Sequence, residues 1–401
     1  MLLAIVSGAV GSVGAAAFRE ALFELERLLH GNAGHLVAAA QALSWWQRLL
    51  FPCVGGIAAG IMLHLGARWI GAENRAEYLE AIALGQRLVD PRSTLVRSSS
   101  SLISVATGAS IGREGAMVQV AAVAGHLLTR VIPATHQEYR LLIACAAAAG
   151  LATAYNAPLA SALFVGEVAL GAQALPRLVP VLLAAIIGNA IAQLTFGAAP
   201  IFAADSLDIG SLWTTPAWIS VGAIAGGIAP IFVRLLGWAH DRFACMSMLL
   251  RLQLGLGGLL VGAMSVAEPR IWGKWLQRHR RSAPSTLDIA AARASAAAES
   301  LRDRRHSRIG RRGWRVLAPG SVLGTPMAYA ALGMGALLAA TTQAPMMAIL
   351  MILEMTGRQS LTLPLAAACV TGYLVAGALR SPSIYAESLS HNVQPASPDE
   401  G

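Results

Sequence analysis

Long apolar stretches separated by short polar segments dominate the pattern of this chain. The stretches cover about 1–18, 49–71, 99–126, 139–166, 176–203, 215–237, 249–268 and 327–380. Since one bilayer crossing needs roughly 20 apolar residues, several stretches are long enough to hold two crossings. Met1 is followed at once by apolar residues, without a basic region or a clear cleavage site, so we predict a first membrane helix rather than a signal peptide.

Glycine and proline interrupt many of these stretches, and we expect breaks near Pro158, Pro230, Pro345 and Pro364. Interrupted and re-entrant helices are typical of transporters and channels, where irregular backbone is tolerated if it is buried or lines a pathway. The pattern therefore predicts an all-α membrane protein with interrupted, tilted transmembrane helices.

The composition agrees with a membrane protein and excludes a soluble enzyme. Of 401 residues, 56% are hydrophobic and only 13% are charged. The four cysteines lie far apart in apolar stretches, without the spacing of a metal site. No phosphate-binding loop and no plausible Ser-His-Asp grouping is present in the sequence. We therefore expect no enzymatic activity, no metal and no cofactor.

The most informative motif is Gly112-Arg113-Glu114-Gly115, a charged pair inside an apolar stretch. Lipid does not solvate charges, so ionisable residues in a membrane segment are functional candidates. Small and apolar residues precede the motif and helix-forming residues follow it, which predicts a loop that enters a helix. A helix N-terminus carries partial positive charge and free N–H groups that favour anions. A carboxylate at this position can itself occupy an anion site.

An internal repeat is visible in the sequence. The tripeptide 156–158 (Asn-Ala-Pro) is followed nine residues after its proline by Glu167, and the tripeptide 343–345 (Gln-Ala-Pro) is followed at the same spacing by Glu354. Proline is tolerated in the first turn of a helix, so each tripeptide predicts a helix start. Two related halves with interrupted helices are typical of transporters whose site lies between the repeats.

Three motifs together resemble the CLC chloride channel/transporter family, and within it the bacterial ClcB type. They are residues 112–115, residues 150–160 (Gly-Leu-Ala-Thr-Ala-Tyr-Asn-Ala-Pro-Leu-Ala) and residues 353–357 (Leu-Glu-Met-Thr-Gly). The resemblance implies a CLC-type inverted repeat and a homodimer with one anion pathway in each subunit. It also implies helix N-termini that converge on chloride, with chloride as the transported ligand.

The resemblance assigns roles to single residues. Glu114 matches the gating glutamate, whose carboxylate competes with chloride and leaves when it is protonated or displaced. Gly112, Arg113 and Gly115 match the loop that shapes the chloride-binding helix end. Tyr385 matches the tyrosine whose hydroxyl binds the central chloride.

Two departures from the family pattern bear on function. The first-half Gly-Ser-Gly-Ile-Pro string is absent, and its serine would fall near Glu73 or Asn74. Asn74 could donate to chloride through its amide, whereas Glu73 would repel it. Antiporters of this family carry two adjacent carboxylates in the helix after the Asn-Ala-Pro start, but here the pair is Glu167-Val168. Valine cannot relay a proton, which favours passive chloride conduction over chloride/proton exchange.

A basic segment stands where the family has an apolar helix and a second anion-binding helix start. Between Lys274 and Arg315 there are 12 Lys/Arg and 3 Asp/Glu, or 12 − 3 = +9, the net charge of the whole chain. Dropping one base from the codons of residues 308–319 permits Gly-Ser-Gly-Ala-Val-Gly-Gly-Val-Phe-Ser-Pro, which resembles the missing motif. We therefore hypothesise a frameshift, with a cytoplasmic basic loop as the alternative.

These observations divide the chain into a first membrane half (1–203), the start of a second half (204–273), the anomalous basic segment (274–325) and the end of the second half (326–401). We expect a gated passive chloride channel in the bacterial inner membrane, in contact with lipid and not with nucleic acid. The alternatives are a chloride/proton antiporter, a non-functional frameshifted member, and a nucleic-acid or acidic-lipid binder that uses residues 274–315.

Overall fold

The structure is a computed structural model, and the fold is helical throughout the part of the chain that it describes. This part comprises residues 1–31, 40–70, 78–83, 89–109, 112–132, 134–171, 174–197, 214–245, 250–267 and 325–385. Within these ranges the helices are α1 (Leu2–His30), α2 (Trp45–Ala67), α3 (Tyr78–Ala83), α4 (Pro91–Ala106), α5 (Glu114–Val131), α6 (His136–Tyr155), α7 (Pro158–Phe164), α8 (Ala174–Phe196), α9 (Thr215–Cys245), α10 (Leu250–Ala267), α11 (Pro326–Thr342), α12 (Pro345–Thr356) and α13 (Thr362–Ala378).

Five of these helices are long and apolar enough to cross a bilayer. They span Leu2–His30, Trp45–Ala67, Pro176–Phe196, Thr215–Phe243 and Gln359–Ala378. Shorter apolar helices, including α7, α11 and α12, lie between them. The prediction of an all-α, multi-pass membrane protein with interrupted helices is confirmed.

Helix α6 is the centre of the first half. Every residue from Leu142 to Thr153 is buried, and α1, α5 and α8 all pack against it. A helix that is apolar on all sides belongs in the interior rather than at a surface. Its alanine-rich sequence also allows these neighbours to approach closely.

Small residues set the distances between the packed helices. A Cβ placed on Gly8 of α1 would lie 2.7 Å from the Cα of Ala184 in α8, and one placed on Gly226 of α9 would lie 3.1 Å from the Cα of Gly372 in α13. In a membrane, helices associate through close van der Waals contact and not through the hydrophobic effect. Larger side chains at these positions would separate the helices.

The two halves of the chain interleave. Helix α2 packs along α10, and α7 packs against α12. Breaks occur as predicted before Pro158 and Pro345, where new helices begin. The expected break at Pro230 is wrong, because α9 continues through it. A membrane helix tolerates such a proline where neighbouring groups satisfy the freed carbonyl. The chain does break near Pro364, because α12 ends at Thr356 and Pro364 lies in the first turn of α13, where a missing N–H costs no helical hydrogen bond.

Candidate functional site

The predicted gate motif lies at a break between two helices. Helix α4 ends at Ala106 and α5 begins at Glu114, with Arg113 as its N-cap residue. The Arg113 side chain makes no capping hydrogen bond at this N-terminus, whose partial positive charge favours an anion. The expectation that Glu114 marks the entry from a loop into a helix is confirmed.

The Glu114 side chain turns back toward the loop that precedes it. A Cβ placed on Gly112 would collide with a carboxylate oxygen of Glu114, so a side chain at this position would displace the Glu114 carboxylate. By contrast, a Cβ on Gly115 would meet open space. The half-buried carboxylate therefore lies at the start of its own helix, where a bound anion would also be stabilised.

Arg113 points toward α1. Its guanidinium carbon lies 6.0 Å from the centroid of the Phe23 ring on α1, within the range of a cation–π contact. Arg113 thus contacts the first helix of the chain from the loop that precedes α5.

Tyr385 lies between elements of both halves. Its ring packs edge-on against Phe164 of α7, with centroids 5.4 Å apart and an interplanar angle of 81°. Two residues earlier, the Ser383 hydroxyl donates to the carbonyl oxygen of Thr342 at the end of α11, at 3.0 Å. The final described residues therefore pack against the core.

Tyr155 packs on the same cluster as Tyr385, and the sequence analysis did not single it out. It is half-buried, and its side chain packs on the hydrophobic cluster that also holds Tyr385. The only signal in the sequence was an aromatic residue directly before the Asn-Ala-Pro turn. The tertiary structure thus places the end of α6 and the final described residues on one cluster.

The repeat motif has the same backbone geometry in both halves. Asn156 and Gln343 are left-handed, with φ of 52° and 58°. The following alanines are N-cap residues with φ of −136° and −127° and ψ of 76° and 75°, and each is followed by a proline at the first helical position. This shared geometry supports a true repeat over chance similarity of two alanine-rich segments.

Each repeat also supplies a carboxylate to the helix start of the other. The backbone N–H groups of Leu159 and Ala160 donate to the two carboxylate oxygens of Glu354, at 3.0 and 2.8 Å. Reciprocally, the N–H of Met347 donates to Glu167 at 3.3 Å. A carboxylate satisfies the free N–H groups of a helix start and complements its dipole. These two glutamates therefore join α7 to α12.

Replacing Glu354 with alanine is expected to destabilise this junction. The substitution leaves the N–H groups of Leu159 and Ala160 without their acceptor, and we expect a loss of about 1–3 kcal/mol. The measurement is thermal unfolding of the purified protein in detergent. Glu20→Ala, which removes an exposed carboxylate on α1, is the matched control. Equal melting temperatures for the two variants would contradict a capping role.

Other predicted features cannot be placed at this site. Asn74, Glu73 and the basic segment 274–324 lie outside the described residues. Among the described residues no group of three or more His, Cys, Asp or Glu side chains could hold a metal ion. The part of the site that the structure describes consists of Gly112, Arg113, Glu114 and Gly115 with Tyr155 and Tyr385.

Long apolar helices, a break before Glu114, and two repeated helix starts that cap each other are typical of multi-pass membrane channels and transporters. The model for the voltage-gated chloride channel family matches residues 55–284 and 309–377. The chain belongs to this family. The two matched stretches leave out residues 285–308, which lie within the basic segment.

Named relatives match over nearly the whole chain. A ClcB-like protein of Ralstonia nicotianae is 40% identical over 417 residues, covering 98% of this chain and 97% of the relative. The voltage-gated ClC-type chloride channel ClcB of Escherichia coli O157:H7 is 34% identical over 420 residues, covering 96% and 97%.

Solved structures with the same fold include two antiporters. A slow cyanobacterial Cl−/H+ antiporter has a TM-score of 0.71 and 23% identity, covering 98% of this chain and 97% of the antiporter. A CLC-type fluoride/proton antiporter has a TM-score of 0.64 and 19% identity, covering 96% of each chain. The CLC fold of the chain is therefore shown, and the fold is shared by coupled exchangers.

Proposed function

We propose that this protein conducts chloride passively through a pathway gated by Glu114. The observation that carries the proposal is the Glu114 carboxylate folded back at the uncapped start of α5. In this position the carboxylate and a chloride ion compete for the same N–H groups and the same partial positive charge. Conduction requires the carboxylate to leave, either because it is protonated or because chloride displaces it.

We assign the chloride ligands to residues on both sides of Glu114. The backbone at Gly112, Arg113 and Gly115 contributes the positive helix end, and Tyr385 donates its hydroxyl to the more central ion. Asn74 is proposed for the inner contact in place of the missing serine. Support comes from the packing of Tyr385 against Phe164 of α7, which holds the tyrosine beside a helix that begins at the first repeat motif.

The geometry around Glu167 favours conduction without proton exchange. Glu167 accepts the N–H of Met347 at 3.3 Å and so serves the helix start of the opposite repeat. The next residue, where antiporters of the resembled pattern carry a proton donor, is Val168. A side chain of valine binds no proton, so an inner relay at this position is absent.

We therefore expect no stoichiometric proton movement with chloride. Vesicles reconstituted with the protein and driven by a chloride gradient should show chloride flux without uphill proton transport. Val168→Glu introduces the missing carboxylate, and its proton flux is compared with any residual proton flux of the unaltered protein. Uphill proton pumping by the unaltered protein would contradict passive conduction and would support the antiporter alternative.

A second candidate is an inactive, frameshifted member of the family. The observation that favours it is the basic composition between Lys274 and Arg315. The family match is interrupted at 285–308, but it resumes at 309, within the residues that the shifted frame would replace. The test is the chloride flux of the chain as written, compared with a chain in which the shifted frame is restored.

The remaining proposals follow from family membership. We propose a homodimer in the bacterial inner membrane, with one pathway in each subunit, and transport without a cofactor. Size-exclusion chromatography with light scattering in detergent distinguishes the dimer from a monomer. The five apolar helices described above require a bilayer or detergent around the protein.

A further inference from the structure

The side chain of Gln119 joins the helix of the gate to two other helices. Gln119 lies on α5, five residues after Glu114. The backbone N–H of Tyr78, the first residue of α3, donates to Gln119 Oε1 at 2.9 Å. Gln119 Nε2 donates to the hydroxyl oxygen of Thr94 on α4 at 3.0 Å. One half-buried amide therefore connects α3, α4 and α5.

The chemistry of the two partners fixes the orientation of this amide. A backbone N–H can only donate, so the atom that faces Tyr78 must be the amide oxygen. The amide nitrogen then donates to Thr94, whose side chain is buried and whose hydroxyl oxygen can accept. An apolar side chain in place of Gln119 would lose both hydrogen bonds at once.

Helix α3 is too short to hold its position without support from its neighbours. It has six residues, and isolated helices of this length are not stable in water. Leu79 and Ile82 pack on the largest buried cluster. At the end of α3 the carbonyl oxygens of Ile82 and Ala83 accept from the Arg140 guanidinium, at 2.8 and 2.7 Å. Gln119 supplies the corresponding contact at the start of the helix.

The start of α3 follows closely on the residue proposed for the inner chloride contact. Asn74 lies four residues before Tyr78 in the sequence. Four residues span at most about 13–14 Å when fully extended, so the position of Tyr78 limits where Asn74 can lie. A side chain that holds Tyr78 in place therefore also restricts the inner contact.

We infer that Gln119 is a positioning residue for the inner chloride contact: its amide holds the start of α3 in a fixed place beside the gate helix. The inference rests on the proposed function, in which Glu114 gates the pathway and Asn74 contacts the inner ion. It adds a residue outside the gate motif and links the gate helix to the inner contact. Gln119 carries no net charge, so it acts on chloride through geometry.

Chloride binding, measured by titration calorimetry in detergent, tests the positioning role without any need for conduction. Gln119→Met keeps the length of the side chain but removes both hydrogen bonds, so chloride should bind roughly threefold to tenfold more weakly. Thr94→Val removes one of the two contacts and should have a smaller effect in the same direction. Thr94→Ser keeps the hydroxyl and should bind chloride as the unaltered protein does.

The matched control is Gln193→Met on α8. Gln193 is also half-buried, and its amide nitrogen donates to Asn156 Oδ1 at 3.1 Å. The same substitution there also removes a hydrogen bond between two helices, so both methionine variants should lower the melting temperature by about 2–4 °C. Only Gln119→Met should weaken chloride binding, which separates a positioning role from a general loss of stability.

The outcomes distinguish the inference from the proposed function. If Gln119→Met binds chloride as tightly as Gln193→Met does, the inference on Gln119 is wrong, and the proposed gate is judged by the Glu114 variants alone. If the unaltered chain binds no chloride but the frame-restored chain does, the same variants are compared in the frame-restored chain. If neither chain binds chloride, the proposed function fails and the inference fails with it.

Discussion

Replacing Glu114 with alanine should leave chloride conduction nearly independent of pH. While the carboxyl group is mostly ionised, each unit of acidification raises its protonated fraction about tenfold, and conduction through a gated pathway follows that fraction. Without the carboxylate, the start of α5 stays accessible to chloride, and flux should change less than about twofold over the same range. The measurement is chloride efflux from reconstituted vesicles between neutral and acidic pH.

Two further variants test the same gating role: Glu114→Gln, and the control Glu138→Gln at another helix start. Glutamine keeps the size of the side chain but carries no charge to compete with chloride, so it should resemble alanine in its pH response. Glu138 also lies in the first turn of a helix, but it is exposed and pairs with Thr135. Glu138→Gln should keep the normal profile. A normal profile in Glu114→Gln would remove Glu114 from the gating role.

If the second candidate, the inactive frameshifted member, is correct, the chain as written should conduct chloride weakly or not at all, and restoring the shifted frame should recover conduction. The segment from Lys274 to Arg315 holds 12 basic and 3 acidic residues, and one arginine at the bilayer centre costs about 2.5–3.5 kcal/mol. We therefore expect this segment to lie outside the membrane. The second-half helix start that would donate N–H groups to chloride is then missing, and Glu114 and Tyr385 face an incomplete site.

Two measurements decide this prediction. The nucleotide sequence must permit Gly-Ser-Gly-Ala-Val-Gly-Gly-Val-Phe-Ser-Pro in the shifted frame of residues 308–319; codons that do not permit it would exclude the frameshift. Equal, robust chloride flux from the unaltered and the frame-restored chains would show that the basic segment is a tolerated loop. Selective recovery in the frame-restored chain supports the hypothesis, and the Glu114 variants are then compared in that background.

The sequence by itself determined the features that depend on local chemistry. The length of the apolar stretches indicated membrane helices, and proline at the first helical position indicated the starts of α7 and α12. The small residues before Glu114 and the helix-forming residues after it indicated that Glu114 stands at a helix start. Pro230 shows the limit of such local reasoning, because a packed membrane helix can continue through a proline when its surroundings satisfy the freed carbonyl.

Only the tertiary structure decided which distant residues meet. Glu354 and Glu167 were recognisable as repeat positions, but their role as caps for the opposite repeat depends on how α7 and α12 pack. Tyr155 carries no motif, and it packs on the same cluster as Tyr385 because α6 packs against α7. Side-chain spacing along one chain specifies a helix face, whereas the partner of that face is set by packing between helices far apart in sequence.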